Sequence, residues 1–320
     1  MPDPTRDLEA TDDPAGHGAI APAAGAPPRP WFGYALCVLT AVSFAMNSTL
    51  AGLAFSGGSD AISLLAFRSA VAVLALLAFL RLRRAPAPPP EIRRRAWALG
   101  VMLAAYSYGL IGAMEYIPVG MAVLIFYTYP LIIAVLSWAR GRERPSVPTI
   151  AALLVAFFGL LLVLNVTAGD LDGTGVAMAA GAAVTLATLV VFGERTLRRG
   201  GAGPVTLHMM AAATLVYAAV DLALGHFALP TTTAAWIGFL GAPLFYAFPA
   251  ITFFYVIGLL GPVRTGLVMN LEPIASLSFA FLILGQRLAL IQLLGCALVI
   301  GALTLVRLRS PAAAAVGTPD

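Results

Sequence analysis

The chain has 320 residues, of which 60% are hydrophobic and only 11% charged. With a mean hydropathy of +0.91, it lies outside the range of an ordinary water-soluble domain. Its net charge of +4 comes from arginine alone on the basic side, because lysine is absent. The sequence also lacks H-E-x-x-H, G-x-x-x-x-G-K, G-x-S-x-G and any carboxylate cluster suited to a divalent ion, so neither a metal nor a cofactor is expected.

Residues 1–30 are rich in Pro, Ala, Gly and Asp and lack the basic start and cleavage site of a secretory signal; a disordered tail is expected there. A bilayer-crossing helix needs about 20 predominantly apolar residues. Ten such segments follow: 31–55, 60–80, 96–114, 118–138, 148–166, 175–194, 204–224, 233–258, 262–284 and 287–307. They leave no room for a separate soluble domain, and residues 308–320 form a second, Ala-rich tail. The expected fold is an all-α polytopic membrane protein whose surroundings are the lipid bilayer. Cys37 and Cys296 both fall inside apolar spans without ligand-like spacing and read as packing residues.

Arginine placement tests this count. With the N-terminus inside, the inner loops and tails collect 17 of the 19 basic residues, leaving Arg287 outside and Arg68 within a span. The positive-inside rule therefore supports ten spans with both termini cytoplasmic. The net charge is then a topology signal, with no nucleic acid required. Arginine in place of lysine, beside abundant alanine, suggests a GC-rich genome and hence a bacterial inner membrane.

Five spans precede the loop around Asp170 and Asp172 and five follow it. An odd number per half forces opposite orientations, which predicts two inverted five-helix repeats, 31–166 and 175–307, with a site near the midplane between them. A shift of 143 residues places Pro130 on Pro273 and Arg144 on Arg287, though little else matches residue for residue.

YTYPLIIAVLSWARGRERPS in the first half and NLEPIASLSFAFLILGQRLA in the second resemble the paired signatures of the EamA-like branch of the drug/metabolite transporter superfamily. The resemblance spans about 31–307 and includes the Phe67-Arg68 pair and the GERTLRR run. It departs in the extra residue of GRER and in Gln286, where Glu is frequent. It implies ten helices, a central cavity lined by helices one to four and six to nine, and peripheral helices five and ten.

The candidate site residues are polar groups inside apolar spans. Glu272 lies ten residues past Pro262, roughly 15 Å deep. A charge at that depth costs about 2.5 to 3.5 kcal/mol, which argues for an inward-facing carboxyl, paired or protonated. Helical spacing puts Thr265, Glu272, Ser276 and Phe279 on one face. Pro273 offers no N–H to the Met269 carbonyl and predicts a kink; Glu272 is either part of a transport site or a structural partner at that kink. Asn270 points some 200° away and joins only if the helix is distorted. The corresponding positions of the first half are Tyr127 and Tyr129, before the second kink residue, Pro130.

Arg68, about 12 Å deep by the same rise, offers its fork to a substrate carboxylate; the alternatives are pairing with Glu272 or backbone carbonyls, or snorkelling toward the outer face. Ser43 with Asn47, and Tyr106 with Tyr108, are further cavity candidates, with helix-to-helix hydrogen bonding as the alternative. His208 titrates near neutral pH if it is not tied up by a hydrogen bond. Asp221 and Glu194 read as interfacial. Ala297 and Gly301, four apart, suit close helix contact or a homodimer seam.

The function expected is that of a secondary transporter, not an enzyme. It would export a small metabolite, such as an amino acid or related amphipathic compound, by alternating access, with protons as a candidate coupling ion. A lipid-modifying enzyme using Glu272 or His208 as base, or a non-transporting structural or sensory protein, are the alternatives.

Overall fold

The computed structural model describes residues 30–113, 116–117, 119–141, 145–165, 172–225, 227–284 and 289–309. Residues 1–29 and 310–320 of the two tails, Asp170, Gln286, Arg287 and Arg144 lie outside the described residues, as does the proposed match between the two arginines; residue 30 and residues 308–309 are helical. The described chain forms twelve helices and no strand: α1 (Pro30–Phe55), α2 (Ala61–Leu82), α3 (Pro90–Ala113), α4 (Val119–Phe126), α5 (Tyr129–Ala139), α6 (Val147–Leu164), α7 (Gly173–Gly200), α8 (Ala202–Leu224), α9 (Thr233–Leu260), α10 (Pro262–Met269), α11 (Leu271–Leu284) and α12 (Leu290–Arg309).

Nine apolar segments among the described residues are long enough to cross a membrane, counting α4 with α5 and α10 with α11; the apolar stretch of α12, Leu290–Leu303, is shorter. Several helices outrun their apolar cores. α3 begins at Pro90 rather than residue 96 because Glu91 and Arg95, 2.6 Å apart, support an exposed turn. α7 likewise continues to Gly200 through the arginines that close it.

Side-chain caps set the starts. Asp60 accepts from the Ser63 N–H at 2.7 Å, and Thr232 from the Ala235 N–H at 3.2 Å. Asp172, at the exposed start of α7, bonds the Thr174 side chain and the N–H groups of Thr174 and Gly175, which holds its carboxyl below the usual value.

The sequence predicts kinked helices at Pro130 and Pro273, and the structure instead shows interruptions. α4 ends at Phe126 and α5 begins at Tyr129; α10 ends at Met269 and α11 begins at Leu271. Each proline then sits in the first turn of a new helix, where no N–H is demanded. The breaks are tightened turns: the Thr128 N–H bonds the Ile125 carbonyl at 3.1 Å, and the Asn270 N–H bonds the Leu267 carbonyl at 3.2 Å.

Packing runs mainly between helices before residue 166 and helices after 171. α1 packs along α9 and α7 along α3; α2 meets α9 and α8 meets α3; α1 meets α10 and α11, as α7 meets α4 and α5. The pairs α2–α8, α5–α10 and α6–α12 are further contacts. Exchanging α1–α6 with α7–α12 reproduces all of these pairs except α5–α10, whose counterpart would be α4–α11. α6 and α12 pack chiefly on each other, at a crossing where Gly159 and Gly295 let the backbones touch.

Candidate substrate site at the helix interruptions

Glu272 occupies the first turn of α11, where the helix dipole favours a negative charge. The carboxyl is surrounded by protein, and the residue as a whole is partly accessible. It lies within reach of the Tyr127 hydroxyl and within electrostatic range of Arg68. Ion pairs among the described residues include Arg95–Glu91 and Arg198–Glu194; a close pair between Arg68 and Glu272, one of the alternatives for Arg68, is not formed.

The other interruption carries aromatic rings. Tyr127 and Tyr129 are buried with ring centroids 5.7 Å apart. Phe126 touches Tyr129 at 5.4 Å and stacks on Tyr106 at 6.0 Å. Both tyrosines fall within electrostatic range of Glu272, so the two breaks face one interior.

Arg68 enters from α2, half-buried. Its guanidinium carbon lies 4.3 Å from the centroid of the Tyr246 ring, a cation–π contact. Buried Asn47 holds one end of the fork. With its amide turned to satisfy both sides, it accepts from Arg68 Nη1 at 3.1 Å and donates to the Ala242 carbonyl at 3.2 Å. Arg68 Nε is buried and has no hydrogen-bond partner. A buried donor left unbonded costs about 1 to 3 kcal/mol.

Not every candidate joins this constellation. Tyr108 is 49% exposed and lies 200° around α3 from Tyr106, so the two do not form one patch. Asn270 is buried and donates back to the Gly266 and Leu267 carbonyls at 3.3 and 3.0 Å; it closes α10. Thr265 is separated from Glu272 by the interruption and bonds its own Gly261 carbonyl at 2.8 Å, which dissolves the expected single face. Ser43 and Ser276 are half-buried, each one turn from a site residue.

His208 lies elsewhere, near the arginine-rich end. Its Nδ1 donates to the Pro204 carbonyl at 2.7 Å and its ring meets Trp97 edge-on. Asp221 is buried in the last turn of α8: the Ser63 hydroxyl donates to it at 3.2 Å and accepts from the Ala228 N–H at 2.9 Å. Ala297 is exposed on α12 and both cysteines are free.

The sequence reasoning missed Tyr217, Tyr246 and Ser107. Tyr217 and Tyr246 are buried and share electrostatic range with Arg68, and Ser107 is buried beside Tyr106 and Tyr217. Tyr246 carried a usable signal: it stands midway between Pro243 and Pro249, two prolines inside one apolar helix.

The profile of the EamA-like transporter family matches residues 31–165 and 173–308. The Threonine/homoserine exporter RhtA of Escherichia coli K12 is 32% identical over 249 residues, covering 74% of this chain and 78% of that protein. The Uncharacterized transporter YcbK of Bacillus subtilis is 25% identical over 273 residues, covering 80% and 86%. One solved crystal structure, 20% identical, aligns with a TM-score of 0.70 over 84% of this chain and 97% of that one; at that identity it speaks to the fold.

Proposed function

The chain belongs to the EamA-like transporter family, and from that premise we propose a secondary carrier that exports a small zwitterionic metabolite, an amino acid or close relative, by alternating access. The single observation that carries this reading is the buried, unbonded Nε of Arg68, which shares an interior with Glu272 and the tyrosines of the two helix interruptions. Arg68 supplies the fork for a substrate carboxylate. Glu272 receives the substrate ammonium or a proton in turn, which couples export to the proton gradient. The tyrosine faces pack the apolar part of the cargo. The name of the Escherichia coli relative, a threonine/homoserine exporter, sets the size class of substrate to try first.

In this reading the two sets of five spans are oppositely inserted, both termini are cytoplasmic, and rocking one set against the other alternates access. A bacterial inner membrane suits the chain, and α12 offers the seam if it pairs with a second copy.

The test is counterflow of radiolabelled threonine and homoserine in proteoliposomes, with and without an imposed pH gradient. Wild-type protein should accelerate exchange and respond to the gradient. Glu272→Gln should lose the gradient response, with exchange slowed roughly tenfold or more, as for loss of a charged partner. An unchanged rate and an unchanged gradient response in that variant would remove Glu272 from the mechanism.

A further inference from the structure

A second concave site lies far from the helix interruptions, at the arginine-rich end of the bundle. The end of α2, the connector after it and the first turns of α8 enclose a groove of about 390 Å³. Leu77, Leu80 and Leu207 form its apolar side; Arg81, Arg84 and His208 form its polar side. The α8 wall is fixed by Gly203, whose missing Cβ would stand 3.0 Å from Leu80 Cδ2.

The backbone holds Arg84 in this groove at a cost. α2 ends with the Ala85 N–H bonded to the Leu80 carbonyl and the Arg84 N–H bonded to the Arg81 carbonyl, both at 3.0 Å. That pattern places Arg84 at the left-handed position where glycine is usual, and its φ is +50°. A side chain there costs about 1 to 2 kcal/mol. A sequence that needed only the chain reversal would carry glycine; here the strained position adds a second arginine to the groove that Arg81 also lines. Such retained strain points to a function.

The surroundings identify the ligand chemistry. The outward side of the same helix is apolar, with Leu74, Phe79 and Leu82 exposed, as for a surface against acyl chains. Two guanidiniums above an apolar slot at a helix end match a phosphate joined to hydrocarbon. We infer that this groove binds the headgroup of an anionic phospholipid, with Arg81 and Arg84 on the phosphate and one acyl chain laid along Leu77 and Leu80. The site is independent of the transport reading.

Trp97, edge-on to His208, reports on the groove. The full-length protein with Trp31, Trp138 and Trp236 replaced by Phe is placed in phosphatidylcholine vesicles containing a fraction of brominated phosphatidylglycerol or brominated phosphatidylcholine. Quenching of Trp97 should favour phosphatidylglycerol roughly tenfold, and Arg81→Gln with Arg84→Gln should bring that preference near unity. Arg84→Gly keeps the left-handed turn, so it should melt no lower than its parent while losing most of the preference. Arg198→Gln with Arg199→Gln, at the same end but outside the groove, should keep it. An undiminished preference in the Arg81/Arg84 variants would overturn the inference. So would millimolar inorganic phosphate abolishing the preference, because the site would then take a soluble anion.

Discussion

At the scale of single residues, Arg68 owes its position to geometry that lysine does not reproduce. A planar guanidinium can lie on the Tyr246 face and bond Asn47 at once; an ammonium has neither the plane to stack nor the fork to reach both from one position. Arg68→Lys should therefore raise the KM for substrate in counterflow roughly tenfold despite conserving charge, and Tyr246→Leu should act in the same direction. Tyr246→Phe, which keeps the ring, should stay near wild type; equal losses in Phe and Leu variants would show that the hydroxyl, not the face, matters.

Asp172 gives the pH-dependent case. Its bonds to Thr174 and Gly175 lower the native pKa, so its stabilising effect is complete above the ordinary carboxylate value and is lost as pH falls through the lowered one. Asp172→Ala should melt below wild type at neutral pH, and thermal scans in detergent should show the gap closing on acidification. A gap independent of pH would exclude the carboxylate as its cause.

At the scale of helices, close approach is set by glycines. A Cβ on Gly238 would meet the Leu50 carbonyl oxygen and the Ala54 nitrogen, backbone atoms of α1 that cannot swing away. Gly181 in α7 has nothing within 4 Å of such a Cβ. Gly238→Ala should thus cost about 1 to 3 kcal/mol through strain, while Gly181→Ala should be neutral or gain up to about 1 kcal/mol in helix propensity. Unfolding midpoints of the two variants decide the point, and equal shifts would contradict the packing described.

The span positions were legible because twenty apolar residues in a row admit few structures in lipid. The two interruptions were not, since a proline in an apolar run signals a kink and a new helix start equally well. Resolving that choice needed the turn at Asn270, whose side chain closes the preceding helix. The same ambiguity hid the true facing of Thr265. Glu272, Arg68, Asn47, Tyr106, Tyr127 and Tyr129 were readable as polar groups in oil. Tyr108 and His208 were equally readable by that rule and fall elsewhere, because one sequence does not fix helix rotation. Tyr217 and Tyr246 converge only through contacts of α8 and α9 with the rest of the bundle.

At the scale of the whole molecule, stability is shared across the connection at 166–171. Neither set of helices retains its main partners alone, since α1 rests on α9, α3 on α7 and α2 on α8. Residues 1–170 or 171–320 expressed singly should be degraded or aggregate, and the two co-expressed should copurify and restore counterflow. A stable, monodisperse single half would contradict the interlocked packing.

The main helix pairings, α1–α9 with α7–α3 and α2–α9 with α8–α3, survive the exchange of the two sets of helices, as those of two copies of a shorter chain would. Read as ancestry, they describe a duplicated and fused gene, and the doubled family match is the trace such an event leaves. Fusion releases a constraint that identical copies must obey: a residue useful on one side no longer has to be tolerated on the other. Tyrosines before Pro130 and a carboxylate before Pro273 show that freedom in use: unlike side chains at matching interruptions.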